Sequence, residues 1–251
     1  MSQFLHAKPM VSQITTHFKD TMMKDTSIKN WNSVKNFVEE RDQKRENITL
    51  GASLSADFFH DPKHVGFMLA RYKSAGRMLP LDKCDVLELG CGEGVGSAVM
   101  ASYCDSLTGI DSDQNAINCA NRMGFPINFK CADFLGQKFG TFRAAVSLDV
   151  IEHFETKMED EFLETIVKNL TPNGMCIIGT PNESASEYAS PESQMAHINL
   201  YTPQRLYGLI SKYFENTVIF GMNDETFHTG FFPMCHYIMA AGFGKRDKAL
   251  R

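Results

Sequence analysis

From residue 85 onward, short apolar runs alternate with longer stretches whose apolar positions recur at helical spacing. The runs at 85–90, 106–111, 127–132, 142–150, 174–180, 215–222 and 235–242 have the length and residue types of strands. Between them, 95–104, 113–123, 157–170 and 203–213 have the length and period of helices. Strands that alternate with helices predict βαβ units. The expected fold is therefore a doubly wound α/β fold, built on a mostly parallel sheet of seven strands. The last two strand candidates are joined by Asn223 to Pro233, which has no helical period, so an antiparallel C-terminal hairpin is expected.

Upstream the pattern changes. Trp31, Val34, Phe37 and Val38 share one helical face, followed by the charge-dense stretch Glu39 to Glu46. A second helix is expected from Pro62 to about Leu79, with Val65, Met68, Leu69 and Tyr72 on one face. Asp61 and Pro62 suit its N-cap and first turn. Residues 1–80 thus read as a helical N-terminal extension, and 81–251 as the main domain. The extension covers either an active site or a sheet edge. Asn182 to His197, rich in Ser and Glu, is a polar loop long enough to act as a lid.

Composition narrows the picture. A chain of 251 residues can hold one α/β domain and an extra cap. A net charge of −5 argues against broad contact with a phosphate backbone, so a nucleic-acid partner is disfavoured. No apolar run approaches the roughly 20 residues that span a bilayer. The start, MSQFLHAKPM, lacks the apolar core of a secretory signal. Seven cysteines, odd in number and never spaced as Cys-x-x-Cys, read as free thiols in a reducing, cytoplasmic setting. Cys91, in a glycine-rich loop, reads as a small residue that fits there rather than as a nucleophile.

That loop is the most informative segment. Val86-Leu87-Glu88-Leu89 runs into Gly90, Gly92, Gly94 and Gly96, and an apolar helical stretch follows. Such a loop lets backbone come close to a ligand. It is not a dinucleotide fingerprint, which needs Gly-x-Gly-x-x-Gly. Counting from Gly90, Gly92 or Gly94, the third glycine position holds Val95, Ser97 or Val99. The remaining pattern, Glu88-x-Gly90-x-Gly92-x-Gly94, resembles the nucleotide loop of class I S-adenosylmethionine (SAM) dependent methyltransferases. VLELGCGEGVG, GID, CADF, SLDVIEH and LTPNGMCIIGTPN follow in the order of that family.

The resemblance implies SAM as the cofactor, with Glu88, Gly90, Cys91, Gly92 and Gly94 forming its loop. Asp111, with Ser112 beside it, would accept hydrogen bonds from the ribose hydroxyls. Asp111 as a helix cap is the alternative, although Asp113 could serve there. Asp133 would meet the adenine amino group with Phe134 near the ring, and Leu148 would line the floor by the sulfonium.

For a hydroxyl acceptor, methyl transfer needs alignment and a base. Asp149-Val150-Ile151-Glu152-His153 and the later His197 make Asp149, His153 and His197 the catalytic candidates. This stretch, with Thr180-Pro181-Asn182, resembles ubiquinone-biosynthesis-type O-methyltransferases. It is also similar to small-RNA 2′-O-methyltransferases, which implies that Asp149, Glu152, His153 and His197 could hold a divalent metal, magnesium or manganese. The alternatives are that His153 caps or packs at a helix start and that His197 closes the lid. The tail Met222 to Pro233, a polar core flanked by aromatics, reads as acceptor recognition or an ordinary hairpin loop. Together with the stretch Phe67 to Lys73, it more loosely resembles bacterial surface-glycan methyltransferases.

The favoured acceptor is a small-molecule hydroxyl, such as a sugar or nucleotide-linked glycan precursor. An RNA 2′-O-methyltransferase and a non-catalytic SAM-binding scaffold are the rivals. None of these motifs encodes an oligomeric state.

Overall fold

The computed structural model describes residues 31–44, 47–82 and 84–246. Residues 1–30 of the expected extension, and Arg45 and Glu46 at the end of its charged stretch, lie outside the described residues. The strands are β1 Asp85–Leu89, β2 Ser106–Asp111, β3 Asn128–Cys131, β4 Phe142–Leu148, β5 Leu170–Pro181, β6 Phe214–Asn223, β7 Thr226–His228 and β8 Tyr237–Lys245. They form one sheet in the order β3-β2-β1-β4-β5-β8-β6-β7. The five strands from β3 to β5 pair in parallel, and β8 is antiparallel to both β5 and β6.

The sheet has eight strands, not the expected seven. The additional strand, β7, lies in the stretch expected only to connect the two strands of the hairpin. Asp224 adopts a left-handed backbone with φ 51°, which turns the chain back on β6. Phe227 then stacks on Phe220 at a ring separation of 4.5 Å. The expected β6–β8 hairpin pairing is present, running from Phe214 opposite Lys245 to Met222 opposite Tyr237.

The helices are α1 Trp31–Gln43, α2 Ala52–His60, α3 Pro62–Met78, α4 Val95–Met100, α5 Gln114–Arg122, α6 Glu159–Asn169, α7 Pro191–Ala196 and α8 Pro203–Ser211. Pro62 begins α3 as expected, although the Asp61 side chain makes no cap hydrogen bond. The stretch Asn182 to His197, expected to be a loop, contains α7, whose first turn is capped by the Ser190 side chain. Among the described residues no helix is long and apolar enough to cross a membrane.

Two cores flank the sheet. Leu87, Leu89 and Ile178 face Phe162 and Ile166 of α6 and Leu206 and Ile210 of α8. On the other face, Val86, Val146 and Ile177 meet Tyr72 and Ala75 of α3 and Met100 of α4. Strands covered on both faces read as continuous apolar runs, which is why β1 stood out in the sequence. Helix α3 therefore packs directly onto the sheet, with the Tyr72 ring so close to Gly96 that a Cβ there would lie 2.3 Å from it.

Candidate active site

The strand order reverses between β1 and β4, and in open parallel sheets ligands bind in the crevice beyond the strand ends at such a point. The glycine loop lies there. Gly90 has φ 80°, and a Cβ on it would come within 2.2 Å of the Val150 side chain. Gly92 has φ 51° and faces open space. Gly94, also left-handed, packs against Phe129 and Ala120 just before α4. Cys91 is buried against Gly109, and burial pushes its thiol pKa up, the opposite of what a nucleophile needs.

Asp111 ends β2 half-buried. Its Oδ2 accepts the Gly92 amide at 2.8 Å and its Oδ1 accepts the Asp113 amide at 2.9 Å. The cap of α5 is Asp113, which accepts from the Asn115 amide at 2.7 Å. Ser112 next to it is exposed. Asp133 is exposed beyond β3 and accepts the Leu135 amide at 3.2 Å. Phe134 is buried among the rings of Phe154 and Phe162. Leu148 is the last residue of β4 and packs against Gly179.

Below the loop, Glu88 is 1% exposed and neither carboxyl oxygen has a hydrogen-bond partner among the described residues. Tyr72 and Ser97 are its polar neighbours, and both act to lower its pKa. Burial pushes the Glu88 pKa up to about 7, with the Asp111 charge adding to the rise. Glu93, inside the loop, accepts the Ser53 and Leu54 amides at 3.0 Å each, so the loop is tied to the start of α2.

Asp149 follows β4 with φ 57°, and its carboxylate meets Arg71 of α3. The guanidinium also lies 4.1 Å from the Tyr237 ring centroid. Burial opposes its charge, but Asp149, Tyr237 and Glu152 together outweigh it and the pKa of Arg71 is raised. Glu152 is fully buried. Its Oε2 accepts the Thr180 hydroxyl at 3.0 Å and its Oε1 has no partner among the described residues. Burial and the nearby Asp149 charge push its pKa up to about 8.

The His153 Nδ1 lies 3.0 Å from the Ala196 carbonyl. A carbonyl only accepts, so Nδ1 is the donor, and in the neutral ring it is Nε2 that carries the lone pair. The His153 and His197 rings are 5.1 Å apart, edge to face. Burial and His153 both lower the pKa of His197. Glu152, His153 and His197 each offer a ligand atom within 4.8 Å of the others. The structure thus brings together three of the four metal candidates. Asp149 stands outside that group, engaged by Arg71.

Residues 86–174 match the methyltransferase domain family. The chain has the fold of class I SAM-dependent methyltransferases. It is similar to a ubiquinone biosynthesis O-methyltransferase of Caulobacter sp. (strain K31), with 27% identity over 143 residues, 54% of this chain and 56% of the relative. The corresponding enzyme of Rickettsia conorii is 28% identical over 153 residues, covering 58% and 51%. The chain spans about half the length of the curated relatives it matches.

Among solved structures, a SAM-dependent methyltransferase from Thermotoga maritima shares the fold at TM-score 0.60 and 17% identity, covering 77% of this chain and 95% of that one. The plantazolicin methyltransferase BpumL, solved with S-adenosylhomocysteine (SAH), gives TM-score 0.57 at 20% identity, covering 84% and 94%.

Sequence pattern assigned no role in this crevice to four of its residues: Arg71, Tyr72, Glu93 and Tyr237. Tyr72 was legible only as an apolar position on α3. Arg71 was legible only as part of the Phe67 to Lys73 stretch and Tyr237 only as a strand position, because their partners are distant in sequence.

Proposed function

We propose that this methyltransferase transfers the methyl group of SAM to a hydroxyl of a small-molecule acceptor, such as a sugar or nucleotide-linked glycan precursor. Bound SAM supplies an electrophilic methyl; the chain's residues hold it, align the acceptor and take the proton. The glycine loop and Asp111 hold the adenosine portion, with Asp111 on the ribose, Asp133 at the adenine amino group and Leu148 on the floor. Arg71 uses one guanidinium nitrogen for Asp149, while its Nε and Nη2 make no hydrogen bond among the described residues. That free edge suits a carboxylate, and the methionyl end of SAM carries one.

The observation that carries the chemistry is the contact of His153 Nδ1 with the Ala196 carbonyl. With Nδ1 held by the Ala196 carbonyl, Nε2 is a free base beside His197 at the end of β4. His153 Nε2 takes the acceptor's hydroxyl proton as its oxygen bonds to the methyl carbon, and the carbon–sulfur bond breaks to leave SAH.

The same cluster fits a divalent cation. Glu152, His153 and His197 would hold magnesium or manganese, the orphaned Oε1 of Glu152 being one ligand, and the ion would polarise the acceptor oxygen. This favours an RNA ribose hydroxyl as the second reading, against which stands the net charge of −5.

The test is SAH formation with labelled SAM against a catechol, a free hexose, a nucleotide-linked sugar and an RNA oligonucleotide, each with manganese or with EDTA. Turnover on a small hydroxyl acceptor, lost in His153→Ala with SAH affinity retained, is the expected result. Full turnover by His153→Ala removes the base. RNA-only turnover that requires manganese moves the second reading ahead.

A further inference from the structure

His197 sits on a segment 44 residues beyond His153, and two hydrogen bonds bracket it. On one side the Ala196 carbonyl meets His153 Nδ1 at 3.0 Å. On the other, the Asn199 amide donates to the Glu152 carbonyl at 3.1 Å. The second of these depends on how firmly Asn199 is itself held.

Asn199 is 4% exposed and its side chain is fully engaged. Its Nδ2 donates to Glu159 Oε1 and to the Tyr201 hydroxyl, both at 2.9 Å. Its Oδ1 accepts from Arg205 Nη2 at 2.6 Å and from the Thr156 hydroxyl at 3.3 Å. Tyr201 in turn donates to Glu159 Oε1 at 2.6 Å. Arg205 closes the ring: it pairs with Glu159, donates to the Leu200 carbonyl and lies 4.2 Å from the centroid of the Tyr201 ring. A hydrogen-bonded network closed around a buried, fully engaged side chain rigidifies what it touches. This one joins the start of α6, the start of α8 and the turn that carries Glu152 and His153.

We propose that Asn199 is a positioning residue that sets the separation of His153 and His197, with Glu159 and Arg205 holding it in place. Asn199→Ala keeps that backbone amide but removes the side-chain bonds that fix where it sits, so the segment bearing His197 shifts and the ring loses its fixed relation to His153. The effect on turnover rests on the proposed role of the histidines. The effect on geometry does not.

The test uses full-length protein with 13C-labelled histidine rings, saturated with SAH. In the wild type the two rings, 5.1 Å apart, are expected to give a cross-peak. Asn199→Ala is expected to shift both ring signals and remove that cross-peak while SAH affinity stays within about twofold. On the panel acceptor that turns over, kcat is expected to fall about 10- to 100-fold with KM for SAM unchanged.

Arg205→Lys keeps the charge opposite Glu159 but loses the fork that reaches Asn199 and Leu200. It is expected to move the same signals in the same direction by less, and it decides the matter if Asn199→Ala does not fold. Unchanged ring signals and cross-peak in a folded Asn199→Ala protein overturn the proposal, as does a raised KM with kcat intact. If His153→Ala proves fully active, the base reading fails while the ring signals still report on Asn199.

Discussion

Arg71 holds Asp149 through one nitrogen: Nη1 donates to Oδ1 at 2.9 Å and to Oδ2 at 3.0 Å. The side chains are only 16% and 30% exposed, so this contact is better shielded than a surface ion pair. It links α3, in the N-terminal helical part, to the end of β4, where the proposed chemistry takes place. The pair leaves two guanidinium nitrogens for a ligand and fixes the plane in which they lie.

Arg71→Ala is expected to weaken SAH binding by about tenfold or more, since a hydrogen bond to a charged group contributes about 1.5–3 kcal/mol. Calorimetric titration with SAH and with a des-carboxy analogue checks it. The variant should cost SAH affinity and leave the analogue's affinity nearly unchanged. Equal losses on both ligands would show that Arg71 acts only by holding Asp149.

Asp111 and Asp113 are two residues apart and do different things. Asp113→Ala removes the cap of α5 and should lower stability by about 1 kcal/mol with SAH affinity intact. Asp111→Ala removes both the proposed ribose acceptor and the partner of the Gly92 amide, so affinity should drop at least tenfold. Urea denaturation and titration of both variants separate the two roles, and equal affinities would take Asp111 out of the cofactor site.

Glu88 makes stability depend on pH. Its folded pKa, about 7, lies above its ordinary 4.5, so between these values the folded protein binds more protons than the unfolded chain. Stability therefore falls as pH rises from about 4.5 to about 7, and the loss is complete above that window. Glu88→Gln cannot ionise, so its stability relative to wild type should be greater at pH 8 than at pH 5. Denaturation of the ligand-free proteins at both values measures this. A pH-independent difference would mean that Glu88 is not held neutral by burial.

Much of the crevice was legible because its features are local. Gly90 needs a left-handed backbone one residue past a strand, and Asp111 ends the next strand, so position along the chain nearly specifies position in space. The C-terminal half was harder. In sequence, 226–228 looks like loop, because three residues carry too little pattern to signal β7. What makes it a strand is pairing with β6 and the stacking of Phe227 on Phe220.

The sequence by itself determined the alternating architecture, the glycine loop, the acidic strand ends and the Glu152-His153 pair, because each is encoded within a few residues. Only the tertiary structure decided that β8 lies between β5 and β6, that Asp149 goes to Arg71 instead of joining Glu152, and that Asn199 anchors the segment bearing His197. The physical reason is range. Arg71 and Asp149 are 78 residues apart and Asn199 and Glu159 are 40 apart. Such contacts form only where packing of the whole sheet brings the groups together, and local pattern carries no trace of them.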